Sequence, residues 1–292
     1  MNYEFRIMKN VSSFITLRGH SSFSCAINRT ATALLLCCSA ALLYGAFEDA
    51  SPSARMNALG HACIAVSGGE FAALENPSGL SFPETLNVSA GYGRYHMGLS
   101  DKSDISNVVL AAGVPYKFFG IGFAYKNFSL KDFYIEETLS IAGSVRFLER
   151  FIAGVALKNH TLKIPLNQYL INDPVFAAPY EKNFSEYVIG ANFSLPNVTF
   201  GYFQNVLDGK LAKYKEPASR HYGMSYKDEG FLVGIDYKDT TLKQIVSVGF
   251  EKGLFDNVFL WRLGFNFGNR NYRRISSGLG FDFRDFSIDY AI

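Results

Sequence analysis

Residues 138–147 read Thr-Leu-Ser-Ile-Ala-Gly-Ser-Val-Arg-Phe, and this stretch decides the fold. In an extended chain its large apolar side chains all point to one side, namely Leu139, Ile141, Val145 and Phe147. Successive side chains of a β-strand point to opposite faces, so the stretch predicts a strand with one apolar face. The same alternation recurs at residues 186–195, 230–237, 255–267 and 286–292.

Extending this pattern along the chain predicts an all-β protein with thirteen strands, at roughly residues 85–97, 104–114, 118–127, 136–147, 151–160, 184–195, 198–206, 218–226, 230–238, 242–251, 255–267, 272–283 and 286–292. Connections after the even-numbered strands are short, whereas three of the others are longer, the longest spanning residues 161–183. Aromatic pairs such as Phe147 and Phe151 flank the short turns. These features are typical of a transmembrane antiparallel β-barrel. A soluble β-sandwich has the same periodicity and stays the alternative.

Composition supports the barrel. Hydrophobic residues make up 48% of the 292 residues and charged residues only 18%. The faces opposite the apolar ones are rich in Gly and Ser, whereas a surface in water carries more Lys and Glu. The formal net charge is +2, and four basic residues but one acidic residue lie within residues 1–46. The remainder is therefore close to neutral, which argues against a nucleic-acid partner.

Residues 1–46 are predicted to be a cleaved signal peptide. Their segment 31–46 is apolar and uncharged, and it has about the length of a signal-peptide core. A retained helical anchor is the alternative. Three of the four cysteines lie in this region and only Cys63 follows it, so the rest of the chain can form no internal disulfide.

Residues 47–83 separate the signal from the strands of residues 84–292. They contain many small residues, a Gly68-Gly69 turn, a short predicted helix, and then Asn76 and Pro77. Proline disfavours helix at the preceding residue, so the helix should end at Asn76.

This segment resembles the opening of the FadL-like outer-membrane barrels, nearest to their PorV/PorQ-type and uncharacterised spirochaetal branches. The resemblance is carried by Ser53–Gly60 and by the Asn-Pro-Ser-Gly-Leu motif, with His61 and Ser78 as departures. It implies a barrel of about 14 strands in which residues 47–83 form an internal plug. The plug motif would comprise Asn76, Pro77, Gly79 and Leu80.

The strand count raises a question of closure. Bacterial single-chain barrels generally have an even number of strands, whereas thirteen are predicted here. Either a strand lies unrecognised within residues 162–178, or the last strand is missing. In the family that the chain resembles, a further strand follows the one matching residues 286–292, so we expect the C-terminal strand to be missing.

The motifs of enzymes and metal sites are weak or lacking in the sequence. His61 and Cys63 have no further ligand nearby, and no phosphate loop or nucleophile elbow occurs. We therefore expect no enzyme activity, no metal and no cofactor. The predicted inner face carries the charged residues Arg146, Glu186, Asp236, Lys243, Glu251, Arg262, Arg274, Asp282 and Asp289. These charges either pair with one another or help to form an amphipathic ligand pocket.

Three functions remain open. The first is uptake or binding of hydrophobic small molecules, such as long-chain fatty acids, through an outer-membrane barrel gated by its plug. Its candidate ligand residues are Arg146 and Arg262 on the inner face, with Tyr169 and Phe176 in the apolar loop 161–183 as a capture site. The second is a non-transporting outer-membrane partner of secretion-system proteins. The third is a truncated, non-functional paralogue. All three place the protein in the lipid of the bacterial outer membrane.

Overall fold

The computed structural model describes residues 53–66, 70–81, 85–95, 105–130, 133–166, 179–207, 219–240, 243–269, 271–283 and 286–292. All of these belong to one compact unit, Asp49–Ile292. The predicted signal peptide, as well as Tyr169 and Phe176, lies outside the described residues.

The elements follow one another as a short helical region and then strands. Helix α1 is Ala54–Ala58, and two 3-10 helices follow at Glu70–Ala73 and Pro77–Ser81. The strands are β1 Asn87–Tyr95, β2 Ile105–Tyr116, β3 Phe119–Leu130, β4 Tyr134–Phe147, β5 Phe151–Ile164, β6 Tyr180–Ser194, β7 Val198–Leu207, β8 Arg220–Asp228, β9 Phe231–Asp239, β10 Gln244–Leu254, β11 Phe259–Gly268, β12 Arg273–Phe283 and β13 Phe286–Ala291.

All thirteen strands belong to one antiparallel sheet in sequence order, which confirms the predicted fold class. Within the described part of the chain no ladder joins β1 to β13, so the sheet is not closed there. No helix among the described residues combines the length and apolar character needed to cross a membrane.

The loop predicted at residues 161–183 is shorter than expected. Thr161 pairs with Asn183 and Ile164 with Tyr180, so both flanks continue the ladder between β5 and β6. In the β5 flank the alternation changes phase, because the apolar Leu162 is buried on the inner face whereas Val155 and Leu157 are exposed. The β6 flank, residues 180–183, carries mostly polar residues. The pattern therefore missed both flanks. The connection spans residues 165–179.

The apolar face of the sheet is the exposed one. In β4, Ile141 is 58% exposed, whereas its neighbour Ser140 is fully buried. The same inversion holds in β9, where Ile235 is exposed and Asp236 is buried. A water-soluble sandwich would bury the apolar face, so this distribution excludes the sandwich alternative. The rings of Phe147 and Phe151 lie side by side at a short turn, with centroids 6.3 Å apart.

The buried face is covered by residues 53–66 and 70–81, here called the inner segment. Its apolar residues Ala72, Leu74 and Leu80 form a core cluster with the inner faces of the strands, among them Val109 and Val188. The hydrophobic core therefore lies between the inner segment and the sheet.

Candidate functional site

The inner segment follows the inner face of the sheet from strand to strand. Side chains of β8, β9, β11 and β12 bond to its first part, residues 53–66. Ser276 Oγ donates to Ala58 O at 3.3 Å, Asn266 Nδ2 to Gly60 O at 2.5 Å and Ser225 Oγ to Ala65 O at 3.2 Å, and Ile64 N donates to Asp236 Oδ2 at 2.8 Å. Buried backbone groups need partners, and polar side chains on the wall supply them where no ladder does. This explains why the buried face is polar.

Glycines on the wall let the inner segment approach this closely. A Cβ added at Gly264 would lie 2.1 Å from the backbone nitrogen of Gly60, and one at Gly234 would lie 2.4 Å from the carbonyl oxygen of Ala62. Eight further glycines would bring a Cβ within 3 Å of the same segment: Gly120, Gly122, Gly154, Gly190, Gly201, Gly223, Gly249 and Gly278. Gly249 lies opposite both Gly234 and Gly264 in register. The sequence analysis noted that glycine is abundant but did not find this row, whose signal is the recurrence of inward-facing glycines in most strands from β3 to β12.

Asn76 joins three parts of the site and is completely buried. Its Nδ2 donates to Ile64 O at 3.1 Å and to Asn192 Oδ1 at 3.0 Å. Its Oδ1 accepts from the Ser78 hydroxyl at 2.7 Å and from the Ser78 backbone N–H at 3.3 Å. The side chain thus ties both halves of the inner segment to β6. Pro77 opens the second 3-10 helix, where its missing N–H costs no helical bond.

We predict that Asn76→Asp loosens the inner segment. A carboxylate keeps the acceptor for Ser78 but cannot donate to Ile64 O or Asn192 Oδ1, which leaves two buried oxygens facing a charge. Unsatisfied buried polar groups cost about 1–3 kcal/mol each. A fall of the denaturant midpoint is the expected result. Asn87→Asp is the control, because Asn87 Nδ2 bonds only locally to Thr85 O in an exposed position; equal effects would contradict the assigned role.

An ion network anchors the beginning of the inner segment. Arg55 of α1 makes two bonds of 2.9 Å to the Glu251 carboxylate. Arg262 donates to the same carboxylate at 2.6 Å and to Asp289 of β13 at 2.5 Å. The network therefore connects α1 with β10, β11 and β13. The expected pairing of inner-face charges is found here, but the partner Arg55 was not identified from the sequence.

The other end of the inner segment is held by β4. Ser140 Oγ donates to Ala73 O at 2.5 Å, Arg146 donates to Ser81 O, and the hydroxyls of Ser81 and Ser144 are bonded to each other. Both ends of the segment thus contact charged wall residues.

A second polar cluster lies on the inner face of β4, β5 and β6. His160 contacts Thr138 Oγ1 through Nδ1 at 3.0 Å and Glu186 Oε2 through Nε2 at 2.7 Å. Lys158 lies 3.9 Å from the other Glu186 oxygen, and Phe184 stacks on the imidazole. Sequence reasoning identified Glu186 but not its partners, because their contact depends on strand register.

The predicted site residues fall into three groups. Asn76, Pro77, Gly79 and Leu80 are all buried in the inner segment. The guanidinium groups of Arg146 and Arg262 hold the inner segment and its ion network. Tyr169 and Phe176 lie outside the described residues, so their capture role stays a prediction. Among the described residues no group of three or more His, Cys, Asp or Glu side chains would hold a metal ion.

Comparisons with known proteins bear on the fold. No protein-family profile matches the sequence, and no curated protein is similar to it. Among solved structures, the toluene transporter TodX of P. putida aligns with 12% identity and a TM-score of 0.58, over 82% of this chain and 90% of TodX. The deltaS2 mutant of TodX, a monoaromatic hydrocarbon channel, aligns with 14% identity and a TM-score of 0.57, over 80% of this chain and 91% of the mutant. A Pseudomonas aeruginosa FadL homologue aligns with 13% identity and a TM-score of 0.54, over 82% and 88% of the two chains. At such identities the likeness concerns architecture, and the chain shares the antiparallel barrel fold of these proteins.

Proposed function

We propose that this protein is an outer-membrane barrel for the uptake of hydrophobic small molecules, with the inner segment as its gate. The observation that carries the proposal is the inverted sheet: apolar residues are exposed, and a separate segment covers the polar inner face. Strands with an apolar outer band suit the lipid of a membrane, whereas strands whose outer face contacts water carry polar side chains there. The fold shared with a toluene transporter supports the transport of hydrophobic compounds.

The ligand class follows from the surface that the inner segment covers. The cluster around Ala72 and Leu74 meets Val109, Val188 and Phe203 on the wall. Withdrawal of the segment would leave an apolar surface beside the Lys158, His160 and Glu186 cluster. A molecule with an apolar body and a polar end, such as a long-chain fatty acid, would satisfy both surfaces.

The segment is held on the wall by individual side-chain bonds and by the apolar contacts of the core cluster. Each such bond contributes about 0.5–1.5 kcal/mol net, more where charges take part. Wall and segment share no backbone ladder in the described residues. The segment can therefore leave while the ladder that forms the wall stays intact.

The test is binding of a fluorescent long-chain fatty acid, and of toluene as competitor, to the full chain refolded in detergent. We expect saturable binding that Tyr169→Ala/Phe176→Ala weakens about tenfold, since aromatic side chains contribute much of the apolar contact area at binding sites. Phe118→Ala is the matched control, because Phe118 is 63% exposed at a short turn, at the opposite end of the strands. Unchanged affinity in the double variant would exclude the capture loop, and no binding of either compound would overturn the uptake proposal.

A further inference from the structure

Three tyrosines lie side by side on the exposed face of neighbouring strands. Tyr202 of β7 is opposite Tyr222 of β8, which is opposite Tyr237 of β9. The ring centroids of Tyr202 and Tyr222 are 5.2 Å apart, and those of Tyr222 and Tyr237 are 6.4 Å apart. Because the three side chains share one register row, they lie at one level along the strands. We call them the tyrosine row.

The tyrosine row separates polar from apolar side chains. On one side of it, the next outward positions of β7 to β10 form a polar row: Gln204, Arg220, Asp239 and Gln244. On the other side, the corresponding positions are all apolar: Phe200, Met224, Ile235 and Val248. Tyrosines between apolar and polar side chains are typical of a membrane–water interface.

The polar row carries two opposite charges on adjacent strands. Arg220 lies opposite Asp239 in register, and such residues have Cβ atoms about 4.5–5.5 Å apart. Gln244 of β10 donates to Asp239 Oδ1 at 3.4 Å, on the side of Asp239 that is away from Arg220. A guanidinium group binds phosphate well, and a carboxylate attracts a cation. A headgroup with both a phosphate and a cationic nitrogen therefore complements this pair.

The tyrosine row determines which kind of cation fits. Aromatic faces attract a cation within about 6 Å of the ring centroid, and quaternary ammonium groups are bound in this way. With centroids 5.2 Å and 6.4 Å apart, one such group can reach two rings at once. A primary ammonium group carries three N–H donors that need acceptors, which an aromatic face does not supply. The row therefore favours a quaternary ammonium group.

We propose that the tyrosine row and the polar row bind the headgroup of a choline phospholipid. Its phosphate lies on Arg220, and its trimethylammonium group lies on Asp239 and the tyrosines. Successive outward side chains of a strand are about 7 Å apart, so one headgroup can contact both rows. The acyl chains then lie against Met224 and Ile235. The inference rests on the proposed membrane location and adds a specific lipid partner to it.

A single tryptophan beside the two rows can report which lipid occupies them. Trp261 is the only tryptophan of the chain, so Trp261→Phe combined with Met224→Trp leaves one reporter next to Tyr222. The refolded full chain is placed in phosphatidylglycerol bilayers that contain increasing fractions of a brominated lipid. Brominated phosphatidylcholine, phosphatidylethanolamine and phosphatidylglycerol with identical acyl chains are compared. We expect quenching to show about threefold higher affinity for phosphatidylcholine, as exposed cation–π contacts imply.

Variants of the tyrosines test the assignment. Tyr222→Leu/Tyr237→Leu should abolish the preference, because leucine keeps an apolar surface but has no aromatic face. Tyr226→Leu is the matched control, since Tyr226 lies on the other side of Met224 on the same strand, in a row with Val198 and Val233. This control should keep the preference.

A second reporter position tests whether the preference is local. Ile141 of β4 is 58% exposed and lies outside both rows. Trp261→Phe combined with Ile141→Trp should therefore show equal affinities for the three lipids.

Each other outcome has a separate meaning. Equal affinities at the Met224→Trp reporter would overturn the inference and leave the membrane location intact. A preference for phosphatidylglycerol would mean that Arg220 alone binds the headgroup, and a preference for phosphatidylethanolamine that hydrogen bonds to Asp239 decide; both overturn the choline site. An equal preference at the Ile141→Trp reporter would also overturn it. Absence of quenching by all three lipids would overturn the proposed membrane location itself.

Discussion

Replacing Gly264 by alanine is expected to displace the inner segment from the wall. The added Cβ would lie 2.1 Å from the Gly60 nitrogen and 2.5 Å from the Leu59 carbonyl carbon, both backbone atoms in a packed segment. Backbone cannot yield as a flexible side chain does, and overpacking of this kind costs about 1–3 kcal/mol. The barrel wall keeps its ladder, so we expect the segment to move and not the sheet.

Cys63 reports this displacement. Its side chain is 2% exposed within the inner segment, and burial, with the nearby charge of Asp236, raises the pKa of the thiol. A buried, protonated thiol reacts slowly with maleimide because the thiolate is the reactive form. With Cys25, Cys37 and Cys38 replaced by serine, Gly264→Ala should increase the labelling rate of Cys63 by about tenfold or more, as a shift of ~1.4 kcal/mol implies.

Gly143→Ala is the matched control for this experiment. A Cβ at Gly143 of β4 would meet its nearest atom, Gly120 O, at 3.9 Å, which is ordinary contact. Its labelling rate should equal that of the parent protein. If Gly264→Ala also leaves Cys63 protected, the close packing of the segment on the glycine row does not hold it in place.

Glu251→Gln is expected to destabilise the protein strongly. The carboxylate holds two guanidinium groups, Arg55 at 2.9 Å and Arg262 at 2.6 Å, and its side chain is 11% exposed. Removing one partner of a buried ion pair leaves uncompensated charge and costs about 3–5 kcal/mol. In this variant Arg55 loses the charged partner that links α1 to β10, and Arg262 keeps only Asp289 as a charged partner.

Denaturant unfolding of the refolded full chain, followed by the fluorescence of Trp261, measures this loss. Glu137→Gln is the control, because Glu137 bonds to Lys163 at a similar 2.6 Å but on the outward face, with the Lys163 side chain 38% exposed. We expect little change in the control, since exposed pairs are screened by solvent. A similar loss in both variants would mean that the network around Arg262 has no special part in holding the segment.

The sheet was accessible to sequence analysis, whereas most of the candidate site was not. The alternation of apolar and small or polar side chains, as around Ile141 and Ile235, can be recognised from neighbouring residues alone. It located all thirteen strands that the structure describes. Helix α1 was missed because five residues are too few for a helical period to be visible. The short helix expected before Asn76 is a 3-10 helix, Glu70–Ala73.

The contacts of the site depend on distant partners. Arg55 meets Glu251 across 196 positions, and no local pattern connects them. His160 and Glu186 are 26 positions apart and meet only through the register of β5 and β6. The resemblance of the Asn76–Leu80 motif to that of a known family predicted a plug role for this segment. The bonds of Asn76 to Ile64 and Asn192, however, can be identified only from the three-dimensional structure.

The route of the inner segment also determines the order in which the protein can fold. Ser276 bonds to Ala58 across 218 positions and Asn266 to Gly60 across 206, so the earliest part of the segment meets its partners only after β11 and β12 exist. Loop-closure entropy must be overcome before such distant contacts contribute, which makes folding slow. The segment nearest the N-terminus is therefore among the last parts to become fixed, after the strands that follow it.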